Sequence, residues 1–266
     1  MTSDPSERFE IAINTPAGRL TTGIEIPTGF VPVTAIVPLM RRLGEETQAL
    51  EVARAIESQK VVSCAKGCAA CCRMLVPLSI PEALALREWV DSLEIEERQR
   101  IVSRFDETKA VLGARGLWQK LAAWCESTEP PNDEQAELLN REYYALQIAC
   151  PFLEHECCSI YAQRPAACRE LLVSSPPEHC ADVIQNPIEP ISVPVRMSTV
   201  LGLLWQELTV TPAMLIPLPL ALDWAEHHQH ENGRTWKGSE LFDKALDKVW
   251  RCLSQSFQNQ SVEPKP

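Results

Sequence analysis

The sequence predicts a mostly helical α+β protein, with a small N-terminal β-hairpin and a loop-rich cysteine module packed on helices. Three observations carry that expectation. Near the start, apolar and polar residues alternate on both sides of a turn signal. From about residue 33 onward, apolar residues recur mainly at helical spacing. Between the helical stretches, nine of the 11 cysteines crowd into two irregular segments. With 266 residues the chain is long enough for one or two domains and a substantial core.

Each element has its own signal. Phe9, Ile11 and Ile13 alternate, Asn14-Thr15-Pro16-Ala17-Gly18 marks a turn, and alternation resumes through Ile24 and Ile26, so residues 8–26 read as a hairpin. Leu39, Leu43, Leu50, Val52 and Ile56 place a helix over 33–59. Ser79-Ile80-Pro81-Glu82 is a capping box with proline in the first turn, opening a helix to about Leu93. A longer helical pattern spans 94–125 with an interruption near Gly113, and Pro130-Pro131 ends it. Asn132 to Gln135 caps a helix reaching Leu146. The stretch from Cys150 to Cys180 is irregular, with a short helix after Pro165. Ile191 to Val195 is a candidate strand, and helices follow over 196–208, 219–230 and 239–257. Four regions are therefore expected: an N-terminal hairpin and helix (1–59), a cysteine-cluster module (60–182), a C-terminal helical region packed on it (183–257) and a flexible tail (258–266).

Composition excludes several functions. Lys and Arg total 25 against 36 Asp and Glu, a net charge of -11, which gives no pull toward nucleic acid. In the most apolar region, 197–222, Pro212, Pro217 and Pro219 break the run. Its uninterrupted part falls short of the roughly 20 apolar residues a membrane span needs. The opening Met-Thr-Ser-Asp-Pro-Ser-Glu-Arg carries acids and no apolar core, so no secretory signal and a cytoplasmic location are expected.

The two cysteine stretches carry the chemistry. The first reads Cys64-x3-Cys68-x2-Cys71-Cys72. The second holds Cys150, Cys157, Cys158, Cys168 and Cys180. A disulfide framework suits small exported chains rather than this one. Packing as small buried hydrophobes suits the isolated Cys125 and Cys252 but not four cysteines within nine residues. Metal ligation explains the clustering: closely packed thiolates repel one another unless a cation neutralises them, and soft sulfur suits zinc or iron. Adjacent Cys71 and Cys72 point in different directions on any regular backbone, so they are not expected to share one metal. Lys66, Arg73, Arg164 and Arg169 lie in or beside the clusters and would offset the negative charge of a thiolate site. His155 and His179 read as solvated loop residues, and the His227-His228-Gln229-His230 run as an exposed helix end.

Cys64-x3-Cys68-x2-Cys71-Cys72, then Cys150-Pro-Phe-Leu, then Cys158-x-Ile-Tyr-x2-Arg164-Pro165-x2-Cys168-Arg169 resembles the YkgJ-type cysteine-cluster family. The resemblance covers about residues 60–182 and implies a zinc- or iron-chelating domain. Carried over position by position, it makes Cys64, Cys68, Cys71, Cys72, Cys150, Cys158 and Cys168 metal ligands, with Cys180 completing the set and Cys157 spare. The expected function is to hold an iron–sulfur cluster or Zn2+, with a redox role open. The alternatives are a cluster-dependent enzyme such as a protein methylase, and a zinc-stapled interaction module. Cys64-x3-Cys68-x2-Cys71 is also the cluster-binding triplet of radical S-adenosylmethionine enzymes, but residues 79–146 read as consecutive helices rather than that strand–helix barrel. No Gly-x-Gly-x-x-Gly occurs, so a dinucleotide-type methyltransferase has no signal.

Overall fold

The computed structural model describes residues 5–127 and 132–262. The chain opens with an antiparallel ribbon, β1 (Ser6–Thr15) and β2 (Gly18–Pro27), in the register Ile11↔Thr22 and Ile13↔Leu20. Thr15 fastens the turn: its hydroxyl donates to the Gly18 carbonyl at 2.9 Å and accepts from the Ala17 N–H at 3.2 Å. Alternation carries Ile13, Ile24 and Ile26 into the core and leaves Phe9, at the far end, exposed.

The short strand β3 (Phe30–Pro32) and a 3-10 turn (Val33–Ile36) lead into α1 (Val37–Glu57). The first cysteine stretch then passes without regular structure to β4 (Pro77–Ser79). Ser79 begins α2 (Ile80–Asp91) with the expected capping box. The long helical pattern divides into α3 (Ile95–Ala114) and α4 (Leu117–Cys125). The break falls at Gly116, whose φ of +68° suits a residue without a side chain, rather than at Gly113. Asn132 caps α5 (Asp133–Ala145) with Gln135 answering, while the expected stop at Pro130-Pro131 lies outside the described residues.

The second cysteine stretch contains a miniature hairpin, β5 (Leu153–Glu154) with β6 (Cys157–Cys158), then α6 (Ala166–Glu170) and α7 (Pro177–Ala181). Residues 191–195 are not the expected strand. The one ladder contact nearby is an isolated bridge, Val173↔Pro190, because Pro190 and Pro194 supply no N–H to continue it. The chain closes with α8 (Met197–Thr209), β7 (Leu215–Pro217), α9 (Ala221–His227), α10 (Gln229–Asn232), β8 (Thr235–Lys237) and α11 (Gly238–Val262). Helix α11 runs past the expected end at Phe257.

Two long-range strand pairs join the first third of the chain to its last quarter: β3 with β8, and β4 with β7. Around them α2 packs on α8 and α9, and α11 on α8. Leu78, Leu86, Leu201, Leu204 and Val249 are buried in that core. Each such side chain contributes about 1.5–3 kcal/mol on leaving water. The protein is α+β and mostly helical. Among the described residues no helix is long and apolar enough to cross a membrane.

Candidate metal centre

The first cysteine stretch folds as consecutive tight turns. The Cys68 N–H donates to the Ala65 carbonyl at 3.0 Å, the Cys72 N–H to Ala69 at 2.9 Å and the Met74 N–H to Cys71 at 3.1 Å. Gly67, at φ +96°, bends the backbone where side chains rarely allow it. In the second stretch His155 and Glu156 both have positive φ, the backbone of a primed two-residue turn, which brings Cys158 opposite Leu153.

Direct hydrogen bonds join the two stretches. The Cys150 N–H donates to the Cys72 carbonyl at 2.8 Å, and the Ser63 N–H to Val173 at 2.9 Å. The Cys64 sulfur accepts from the Val173 N–H at 3.4 Å and lies 3.8 Å from the Leu171 carbonyl oxygen. Arg73 reaches across to Glu156 at 3.0 Å. Beneath them, buried Glu82 joins the helical body to the module. One carboxylate oxygen accepts from the Ala166 N–H at 2.8 Å, and the other holds Ser79 at the start of α2.

This folding places Cys68, Cys71, Cys72, Cys150, Cys158 and Cys168 around one cavity of about 150 Å³, together with Tyr161 and Arg164. Cys64 and Cys180 do not line it, yet both sense the charges of Cys68 and Cys71. Cys157 is exposed and outside the cavity. All eleven cysteines are unpaired. Among the described residues, no group of three or more His, Cys, Asp or Glu side chains is arranged so as to hold a metal ion as it stands. Protonated thiols have no reason to converge on a point, because a cation supplies that attraction. The donor set is all sulfur, which fits zinc or iron.

Residues 63–182 match the family model CxxCxxCC, described as "Putative zinc- or iron-chelating domain". The match spans 120 residues, less than half of the chain, so this segment is similar to that family. No curated protein and no solved structure matches the chain.

Within this segment, the thiols shape one another's chemistry. Burial pushes Cys150 up to about 12, with Cys158 and Cys71 adding to the rise. Burial also raises Cys64, Cys158, Cys168 and Cys180, each further disfavoured as a thiolate by neighbouring sulfurs. Cys71 moves the other way, to about 7, because it accepts a hydrogen bond from Cys72, and Arg164 favours its charge. Cys72 keeps the shared proton and is raised. The backbone there turns rather than following a regular element, and Cys71 and Cys72 both line the cavity.

Of the flanking cations, Arg164 is the one that acts on several sulfurs, easing the ionisation of Cys64, Cys71, Cys158 and Cys168. It is stacked 3.7 Å from the Tyr161 ring centroid, and Tyr161 in turn lies beneath Lys66. Arg169 faces away, bonded to the Arg164 and Ala162 carbonyls and to Glu45. His155 and His179 do not line the cavity, and His179 instead meets the Pro187 carbonyl. His228 stacks on Trp224 at 4.1 Å. The sequence reading missed Glu82 as a tether. Its capping-box signal marks it as a helix start but says nothing of Ala166, which lies far along the chain.

Proposed function

We propose that this protein holds zinc or an iron–sulfur cluster through Cys64, Cys68, Cys71, Cys72, Cys150, Cys158, Cys168 and Cys180, in a cytoplasmic setting where thiols stay reduced. The observation that carries this reading is the single cavity lined by six cysteines drawn from both stretches, inside a segment matching a chelating family. The eight thiols fall into two overlapping groups by mutual influence. Cys64 and Cys180 feel Cys68 and Cys71, whereas Cys72 and Cys168 feel Cys150 as well as Cys71, so Cys71 acts on both groups. When bound, zinc would tie the irregular second stretch to the helical body, and a cluster would supply electron transfer.

Anaerobic purification with elemental analysis tests the reading and separates the metals. Brown protein with a broad band near roughly 400 nm indicates iron–sulfur, whereas colourless protein with stoichiometric zinc indicates a structural site. Cys71→Ser and Cys158→Ser should each lower metal content, Cys71→Ser the more because it serves both groups, while Cys157→Ser keeps the wild-type amount. Full metal retention in both Cys71→Ser and Cys158→Ser removes the ligand assignment.

A further inference from the structure

A second cavity, of about 310 Å³, lies against the opposite side of helix α6 from the thiols. Ala167 and Cys168 face the sulfur cavity, Arg169 and Glu170 face the second one, and Arg164 lines both. A molecule in the second cavity would therefore sit one short helix away from the cysteines.

Its polar lining is mostly committed to the protein itself. Arg169 is held by two carbonyls and Glu45. Glu170 accepts from the Met197 N–H at 2.6 Å and so caps α8. Arg41 and Gln48, on one face of α1, are different. Arg41 donates through one guanidinium nitrogen to Gln163 at 2.8 Å, but its Nε is buried without a partner. No carboxylate among the described residues forms an ion pair with it, and Glu82 acts on it only through its field. Gln48, 6% exposed, donates to the Ser192 carbonyl at 3.0 Å, while its Oε1 is buried and unpartnered. Buried donors and acceptors without partners are rare because each forfeits its hydration. Here a cationic donor and a neutral acceptor are left over on two side chains that line the same cavity, each atom just beneath its surface, where a small side-chain rotation would present it. Ala49, Val52, Leu172 and Met197 supply the apolar remainder.

We propose that this cavity binds a small carboxylate with an apolar body and an O–H or N–H donor at its far end. The carboxylate pairs with Arg41, the donor meets the Gln48 carbonyl oxygen, and the aliphatic part lies on Val52, Leu172 and Met197. Arg41 and Gln48 are seven positions apart on a helix, about 10 Å along its axis. An extended chain of about six carbons with polar ends, reached by two long side chains, fits that separation. The charge requirement is local: the whole chain is acidic, yet the lining offers three arginines against Glu45 and Glu170.

The proposal goes beyond metal binding and stands without it. The test uses the full-length protein and three probes of one skeleton: 6-hydroxyhexanoate, hexanoate and 1,6-hexanediol, followed by titration calorimetry and ligand-observed NMR. The expected order is 6-hydroxyhexanoate tightest, hexanoate several-fold weaker, and the diol at least tenfold weaker than 6-hydroxyhexanoate. Arg41→Met should weaken 6-hydroxyhexanoate at least tenfold while circular dichroism and metal content stay as in the wild type. Equal binding of the diol and the carboxylates, no binding of any probe, or unchanged affinity in a folded Arg41→Met protein would overturn it. The probe ranking needs no variant, so it decides the matter even where Arg41→Met fails to fold. Metal content, measured on the same samples, separates failure here from failure of the metal reading.

Discussion

The helical body and the cysteine stretches are ordered by different means. In α8, thirteen residues bury Met197, Val200, Leu201, Leu204 and Trp205 along one side. Between residues 150 and 182 the buried apolar side chains are few: Pro151, Phe152, Ile160, Pro165, Ala166 and Val173, besides Cys180. That segment is held by single hydrogen bonds at chosen points, such as Cys150 to Cys72, Ala166 to Glu82 and Ile191 to Leu172. Hydrophobic burial is spread over many contacts and tolerates a lost partner. A set of point tethers around thiols that repel one another when ionised does not, and bound metal is the natural source of the missing cohesion.

The sharpest way to break this contrast is to remove the metal. Chelation should raise amide exchange at least a hundredfold across 150–182 and leave α2, α8 and α9 protected, because metal binding there is folding free energy. Uniform loss of protection over the whole chain would merge the two regions into one. The mirror experiment is Leu201→Ala in the body. It should cost about 2–5 kcal/mol in denaturant unfolding, through lost burial and a cavity, while metal content stays at the wild-type level.

The smallest effect concerns the body's electrostatics. Glu207 on α8 pairs with Lys244 at 2.7 Å and with the buried Lys248 of α11, which holds its carboxyl at about 2. A carboxyl held below its unfolded value stabilises the fold above about pH 4.5 and loses that contribution as pH falls toward 2. Because Glu207 is partly exposed, Glu207→Gln should cost about 1 kcal/mol or less at neutral pH. It should also flatten the acid limb of a stability–pH curve. A full-sized acid limb in Glu207→Gln would show that another carboxylate carries it.

The same contrast explains what could be read in the sequence. The helices were legible because a buried face repeats every three to four residues. The capping boxes at Ser79 and Asn132 were legible because they are local chemistry. The three-residue pairs β3–β8 and β4–β7 were not: each strand is too short for periodicity, and its partner lies far along the chain. At the site, cysteine spacing and family resemblance pointed to the thiols, and six of them share a cavity. That adjacent Cys71 and Cys72 both line it depends on a turn that spacing does not specify. Likewise Glu82, Arg41 and Gln48 carry no motif, because their roles arise from partners or missing partners brought together only by folding.

The central claim is that sulfur from both cysteine stretches surrounds one metal centre. X-ray absorption at the edge of the purified metal tests it most directly, on the wild type and on Cys158→Ser. The account requires a ligand shell of sulfur at about 2.3 Å that loses sulfur in the variant. A shell of nitrogen and oxygen at about 2.0–2.2 Å, or a spectrum unchanged by Cys158→Ser, would contradict it.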